Sequence, residues 1–192
     1  NDCAGVSQEL QKMSIGSVAL HGDMEQQARS QTLIRFANGS ANVLVATDVA
    51  ARGLDIDDVD AVFNFELPHQ VESYVHRIGR TGRGGRDGTA MSLVSDREMS
   101  RLKAIETDLN RGAMCLWRAD SDTQGEQRRP HVTLIAPRVH TLEINGGRKQ
   151  KLRPGDILGA LTAGGALGAD AVGKIDILPM VSYVAVAKEQ AG

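Results

Sequence analysis

The sequence predicts an α/β fold with a mostly parallel sheet that carries helices on both faces. Helix-like and strand-like patterns alternate from the start of the chain to about residue 110. The segment Asn42–Ala46 reads NVLVA, and such a run without polar alternation is typical of a strand buried on both faces. Aromatic residues make up 3% of the 192 residues and apolar residues 41%, so the core must be aliphatic.

The predicted elements of this first region follow from local signals. Leu33, Ile34 and Phe36 form the apolar side of a predicted helix. The pair Asn38-Gly39 ends this helix after Ala37. Predicted helices cover Asp2–Met13, Glu25–Ala37, Gln70–Arg80 and Asp96–Asn110, with Asp96 as N-cap of the last. Predicted strands cover Ser17–Leu20, Asn42–Ala46, Asp60–Phe65 and Gly88–Val94.

A change of composition divides the chain. Asp, Ser, Gln, Gly, Arg and Pro cluster in residues 119–137, which predicts a linker between domains at 1–118 and 138–192. The second region has its own strand–helix–strand–strand order. Its predicted elements are a strand at Val139–Ile144, a basic loop at Asn145–Arg153, a helix starting at Pro154, and strands near Lys174–Leu178 and Ser182–Ala187.

The overall charge and the cysteines exclude several classes. A net charge of −2 excludes a bulk polycation, so any basic site is local. Cys3 and Cys115 form neither a metal motif nor a disulfide framework, which favours a reducing cytoplasmic location. No metal site is predicted, and no stretch approaches the roughly 18 apolar residues of a membrane span.

One cluster of basic residues lies where a predicted helix meets a glycine-rich loop. The segment His76–Arg83 reads HRIGRTGR, and on a helix His76 and Arg80 would share a face. Guanidinium groups suit phosphate oxygens, including those of a transferring phosphoryl group. A solvated basic helix end would account for the same composition.

A second segment favours the phosphate interpretation. Residues Ala46–Ile56 read ATDVAARGLDI and directly follow a predicted buried strand. Ligands bind at the carboxyl ends of strands in open α/β sheets. The Thr47 hydroxyl and the Arg52 guanidinium can contact phosphates there, and the Asp55 carboxylate can accept a hydrogen bond from a ribose hydroxyl.

In this order and separation, the two segments resemble motifs V and VI of DEAD-box RNA helicases. His21–Asp23, followed by Gln26 and Arg29, is similar to the segment that precedes motif V. The resemblance implies the second RecA-like domain of such a helicase. It implies an RNA partner, ATP and Mg²⁺ as cofactors bound mainly by an upstream domain, and ATP-driven unwinding of short duplexes.

The resemblance also implies a role for each matching residue. Arg80 and Arg83 would be arginine fingers at the ATP phosphates, and His76 would couple to the first domain. Gly53 and Asp55 would bind ATP. The residues that would hold the RNA backbone, without reading its sequence, are Gly22, Arg29, Thr47 and Arg52.

Residues Asn145–Leu161 resemble the RNA-binding tail of the DbpA group within this family. This implies an RRM-like fold, truncated before its last helix and strand, and a 23S rRNA hairpin as partner in assembly of the large ribosomal subunit. Tyr183 is the only aromatic residue after Trp117, so paired aromatic stacking cannot supply most of the affinity. The basic side chains Arg148, Lys149, Lys151 and Arg153 are the candidate RNA contacts, with a solvated loop as the alternative.

Two other functions stay open at this point. A DNA helicase could share the two RecA-like domains, and an RNA-binding module could act without catalysis. The nearest match to a phosphate-binding loop, Gly168–Ile175, has Ile175 in place of the hydroxyl that Mg²⁺ requires. We therefore expect the chain alone to hydrolyse no ATP.

Overall fold

A computed structural model describes residues 2–51, 56, 59–110 and 136–190. The helices are α1 (Asp2–Lys12), α2 (Gln26–Ala37), α3 (Asp48–Ala51), α4 (Val71–Ile78), α5 (Met99–Asp108) and α6 (Pro154–Thr162). The strands are β1 (Ser17–Leu20), β2 (Val43–Ala46), β3 (Ala61–Asn64), β4 (Thr89–Ser92), β5 (Val139–Ile144), β6 (Val172–Ile177) and β7 (Ser182–Ala187). Within those ranges no helix is both long and apolar enough to cross a bilayer.

The strands pair as the predicted fold class requires. β1 pairs with β2, and β3 with β4, both in parallel. The third sheet is antiparallel, in the order β5-β7-β6. The chain divides into two compact units, one formed by residues 1–52 and 132–192 and the other by 53–131. The predicted boundaries at 118 and 138 remain a prediction.

In the first unit, α1 is fixed to β1 by polar contacts in a buried setting. The Ser17 hydroxyl donates to the Ser7 carbonyl over 2.8 Å, and the Gln11 amide donates to the Ser17 carbonyl over 2.8 Å. Ser7 and Ser17 are both buried. These hydrogen bonds satisfy the buried polar groups. Leu20 of β1 is fully buried beside them in the chain.

The central strand of the third sheet is covered on both faces. Val184 and Val186 pack with Ile157 of α6, while Tyr183 and Ala185, which point the opposite way, are also buried. A strand with both faces covered is apolar nearly throughout. β7 is SYVAVA, which satisfies this requirement.

The second unit has a separate core between α4 and α5. Leu67, Tyr74, Leu102 and Ile105 form it. Asn64, at the end of β3, is 2% exposed, and its amide donates to the Ser92 hydroxyl of β4 over 3.2 Å. This side-chain pair joins the two strands at their carboxyl ends.

Two predicted helix ends are wrong for physical reasons. The helix predicted to reach Arg80 ends at Ile78, because the Arg80 carbonyl accepts a hydrogen bond from the Val59 amide. Asp96 is not the N-cap of the later helix. Ser95 precedes a 3₁₀ turn, and the Glu98 carboxylate accepts from its amide (3.0 Å) and hydroxyl (2.6 Å). These bonds to Ser95 lower the pKa of Glu98.

We expect Leu102→Ala to destabilise the second unit by about 2–5 kcal/mol, since Leu102 is 2% exposed and truncation leaves a cavity. Leu93→Ala is the control, because Leu93 is 50% exposed. Chemical denaturation of both variants measures the difference. Equal losses would show that the core of α4 and α5 is not the stabilising element of this unit.

Gly147→Ala should destabilise the tail by about 1–3 kcal/mol, the usual cost of overpacking. A Cβ there would lie 2.2 Å from the carbonyl oxygen of Leu178. Gly159→Ala in α6 meets nothing within 4 Å and should stabilise by about 0.5–1 kcal/mol, because alanine restricts the unfolded chain. Thermal unfolding of the two variants should therefore shift in opposite directions, and shifts of the same sign would contradict the described packing.

Candidate functional site

In the first unit, the predicted site residues gather where β1 and β2 end. The parallel register pairs Leu20 with Ala46, which brings His21 and Thr47 side by side just beyond the strands. The Thr47 amide donates to the Leu20 carbonyl over 3.2 Å. Gly22 is exposed, and a Cβ on it would meet nothing within 4 Å. This carboxyl edge is therefore open to a ligand at Gly22.

Arg29 connects the two strand ends from α2. Its Nη1 donates to the His21 carbonyl over 3.2 Å and its Nη2 to the Ala50 carbonyl over 3.3 Å. A guanidinium has five N–H donors, so donors remain for a ligand after both bonds form. The structure thus gives Arg29 a positioning role that the sequence did not predict, beside its predicted role in RNA binding.

The short helix α3 was also missed, although it begins at a recognisable cap. The Thr47 hydroxyl accepts a hydrogen bond from the Ala50 amide over 3.3 Å, as an N-cap residue does. The signal was present as Thr47 followed by an acidic residue in the first turn. Arg52, Gly53 and Asp55, the other predicted ligands of this motif, lie outside the described residues.

In the second unit, the predicted arginine segment is an irregular turn after α4. His76 is exposed on the last turn of α4, whereas Arg80 lies beyond the helix end and is partly buried. The expected shared helix face therefore does not apply to them. Arg80 Nη1 lies 3.5 Å from the Ile56 carbonyl oxygen.

The backbone of this turn is fixed by Thr81 and two glycines. The Thr81 hydroxyl donates to the carbonyl of Val59, and the same oxygen lies 3.1 Å from the carbonyl of Asp60. A Cβ at Gly88 would lie 2.2 Å from the Gly82 amide nitrogen, so only glycine allows this crossing. Gly82 itself has a φ of 68°, which glycine adopts without strain.

Arg83 is exposed just after this crossing. Its Nε donates to the Gly79 carbonyl over 2.6 Å. This bond ties the guanidinium of the exposed Arg83 to the end of α4. Arg80 and Arg83 are thus both anchored through the backbone, which limits their freedom before any ligand arrives.

Arg77 is a residue whose role the sequence did not reveal. Its Nη1 donates to Asn64 Oδ1 over 3.1 Å and to the Glu66 carbonyl over 2.8 Å. It therefore attaches α4 to the end of β3. A polar Asn64 inside an apolar strand was the available signal, since buried polar groups require partners.

The basic loop of the tail is a rigid platform for exposed charges. The amides of Arg148 and Lys149 donate to the carbonyls of Leu178 and Pro179 over 2.9 and 3.0 Å. Lys151 adopts a left-handed conformation with φ of 60°. All four basic side chains are exposed, and within the described residues no carboxylate forms an ion pair with them. The structure thus brings together the four predicted RNA contacts.

A chemical survey of the described ranges finds no cluster of side chains suited to a metal ion. Partial burial raises the pKa of the Cys3 thiol, and Asp2 raises it further. A raised pKa reduces the thiolate fraction, so Cys3 does not have the properties of a nucleophile.

Family comparisons agree with the order of these features. Residues 2–85 match the helicase conserved C-terminal domain. Residues 141–192 match the DbpA RNA binding domain. The two matches cover the strand-end motif, the arginine turn and the basic loop.

Curated relatives extend the match beyond the residues that the two family matches cover. The chain is 45% identical to the ATP-dependent RNA helicase DbpA of Escherichia coli over 96% of its own length and 39% of that protein. It is 45% identical to the DEAD-box ATP-dependent RNA helicase CshA of Bacillus cereus over 72% of the chain and 26% of CshA. The chain therefore spans about two fifths or less of these relatives.

Solved structures confirm the fold of the first region. The Escherichia coli DEAD-box protein SrmB, solved with regulator of ribonuclease activity A, matches with a TM-score of 0.56 and 41% identity, covering 60% of this chain and 69% of that one. A DEAD box protein from Methanococcus jannaschii matches with a TM-score of 0.55 and 38% identity over 58% of this chain and 31% of its own. Motifs, family matches and fold together place the chain among the DEAD-box RNA helicases, as a RecA-like C-terminal domain followed by an RNA-binding domain of the DbpA type.

Proposed function

We propose that this chain is the C-terminal part of an ATP-dependent RNA helicase that unwinds short RNA duplexes in the cytoplasm. In this proposal residues 1–118 form the RecA-like domain, 119–137 the linker and 138–192 the RRM-like domain. An upstream RecA-like domain supplies the phosphate-binding loop and most of the contacts to ATP and Mg²⁺. Closure of the two RecA-like domains on RNA bends and separates a duplex locally.

The observation that carries this proposal is the pair of anchored arginines beyond α4. Arg80 and Arg83 follow the exposed His76 in a turn whose backbone is fixed by Thr81, Gly82 and Gly88. Anchored guanidiniums are suited to stabilising charge that develops on a transferring phosphoryl group. In the intact protein, these two residues would face ATP held by the upstream domain, while His76 would contact that domain.

The strand-end site supplies the RNA contact in this proposal. Thr47, Gly22 and Arg29 lie around one edge of the β1–β2 pair, and Gly22 has no side chain to block the approach of a phosphate. Arg52 would add a cation, and Gly53 and Asp55 would reach the ATP phosphate and ribose. Because these groups recognise backbone, binding here would not depend on base sequence.

The tail would direct the helicase to its RNA. Four exposed cations on a fixed loop favour a structured polyanion, and we propose a 23S rRNA hairpin of the pre-ribosomal large subunit. The test is ATP hydrolysis by the full-length protein with a 23S rRNA fragment, an unrelated RNA and DNA. Stimulation by the fragment alone supports the proposal. Equal stimulation by any RNA removes the tail specificity, and stimulation by DNA favours a DNA helicase.

Arg80→Ala in the full-length protein should lower RNA-stimulated ATP hydrolysis by about 10³- to 10⁵-fold, as loss of an arginine finger does. Arg97→Ala is the matched control, because Arg97 is exposed outside the motif. Circular dichroism checks that both variants fold. More than about a tenth of the normal rate in a folded Arg80 variant would contradict this role.

Replacing Arg148, Lys149, Lys151 and Arg153 by glutamine should weaken binding of the hairpin RNA and flatten its salt dependence. Each phosphate contact contributes about 0.7–0.9 to the slope of log affinity against log salt. The control replaces Arg97 and Lys103, two exposed cations outside the tail. An unchanged slope in the fourfold variant would show that the loop is only solvated.

A further inference from the structure

A cavity of about 560 Å³ lies within the first unit, away from the sites described above. It is bordered by the residues just before β1, the end of α2, the segment before β2, and strands β5 and β7 of the tail. These are the amino ends of β1 and β2. The predicted RNA-binding residues lie at the carboxyl ends, about 13 Å away along four-residue strands. The cavity is therefore a separate site.

The cavity has defined walls, because polar bonds fix the tail against α2. The Asn38 amide donates to the Thr141 hydroxyl over 2.9 Å, and the Ser40 and Thr141 hydroxyls are 2.6 Å apart. Gly16 packs so closely on Pro137 that a Cβ there would lie 2.2 Å from its ring. The volume falls in the usual range for small-molecule sites.

Basic side chains line this cavity from three different elements. Arg35 extends from α2, His140 from β5, and Lys188 follows β7. All three are exposed, and within the described residues none forms an ion pair or a side-chain hydrogen bond. Arg35 and Lys188 are the cations of this set, and cations that form no ion pair among the described residues are a suitable environment for a phosphate.

Groups suited to a nucleobase share the cavity. Tyr183 lines it and is 1% exposed, and its hydroxyl lies close to the side chains of Glu143 and Gln27. Glu143 also lines it, held by the Gln31 amide over 3.1 Å. Burial and Glu143 raise the pKa of Tyr183, so the phenol remains a donor. A phenol and a carboxylate side by side offer a donor and an acceptor to the polar edge of a base.

We propose that this cavity binds one unpaired nucleotide of RNA, with its phosphate at Arg35 and Lys188 and its base beside His140, Glu143 and Tyr183. This inference depends on the proposed function only in taking RNA as the ligand. An RNA that occupies both sites would run from the carboxyl ends of β1 and β2 to the amino ends of the same strands. This nucleotide would thus bind at a third place, separate from the carboxyl ends of β1 and β2 and from the basic loop.

The test uses the full-length protein and two RNAs, a hairpin alone and the same hairpin with a single-stranded extension. Fluorescence anisotropy gives affinity across a salt series. The variant is Arg35→Gln with Lys188→Gln, and the control is Arg97→Gln with Lys103→Gln, which removes equal charge from exposed positions elsewhere. All four side chains are exposed, so the variants should fold.

We expect the cavity variant to lose about fivefold or more in affinity for the extended RNA, with a salt slope lower by about 1, and to bind the plain hairpin normally. Equal loss on both RNAs would overturn the unpaired-nucleotide assignment. Unchanged binding of the extended RNA would overturn the site while leaving the helicase proposal intact. If the unmodified protein binds neither RNA, the proposed function and this inference both fail.

Discussion

The parallel pairing of β1 with β2 is the constraint on which the rest of the first unit depends. It aligns Leu20 with Ala46, so the residues that follow both strands emerge at one edge. The same pairing places the residues that precede both strands at the other edge, where the tail docks. In a parallel pair the two amino ends lie together and the two carboxyl ends lie together. One register therefore produces both the predicted RNA-binding edge and the edge that contacts the tail.

Arginine anchoring to backbone carbonyls recurs in both units. Arg29 bonds to carbonyls beyond β1 and on α3, Arg77 bonds to a carbonyl just after β3, and Arg83 bonds to one at the end of α4. Each of these bonds restricts the conformations of the arginine side chain. Restricting a cation before ligand arrives reduces the entropy lost on binding.

The sequence predicted the elements with strong local signals. The bounds of β1, β5 and β7 are confirmed, because each is a short segment rich in β-branched or apolar residues between clear breaks. Helix ends were predicted less well. α4 ends early because the Arg80 carbonyl is used by Val59, and no local pattern reports a bond to a residue 21 positions away. The positioning roles of Arg29 and Arg77 were missed for the same reason, as was the cavity, since all depend on partners distant in sequence.

The tail sheet has a further consequence for how the chain acquires its structure during synthesis. Among the described strands β5 pairs with β7, so this pairing has to wait until residues 182–187 have been made. The β6–β7 hairpin, closed by a bond from the Leu178 amide to the Val181 carbonyl over 2.9 Å, is local and can form first. The contact of Asn38 with Thr141, 103 residues apart, closes a long loop, which costs more chain entropy than closing the local hairpin. Residues 1–52 are therefore synthesised well before the tail strands that dock against them.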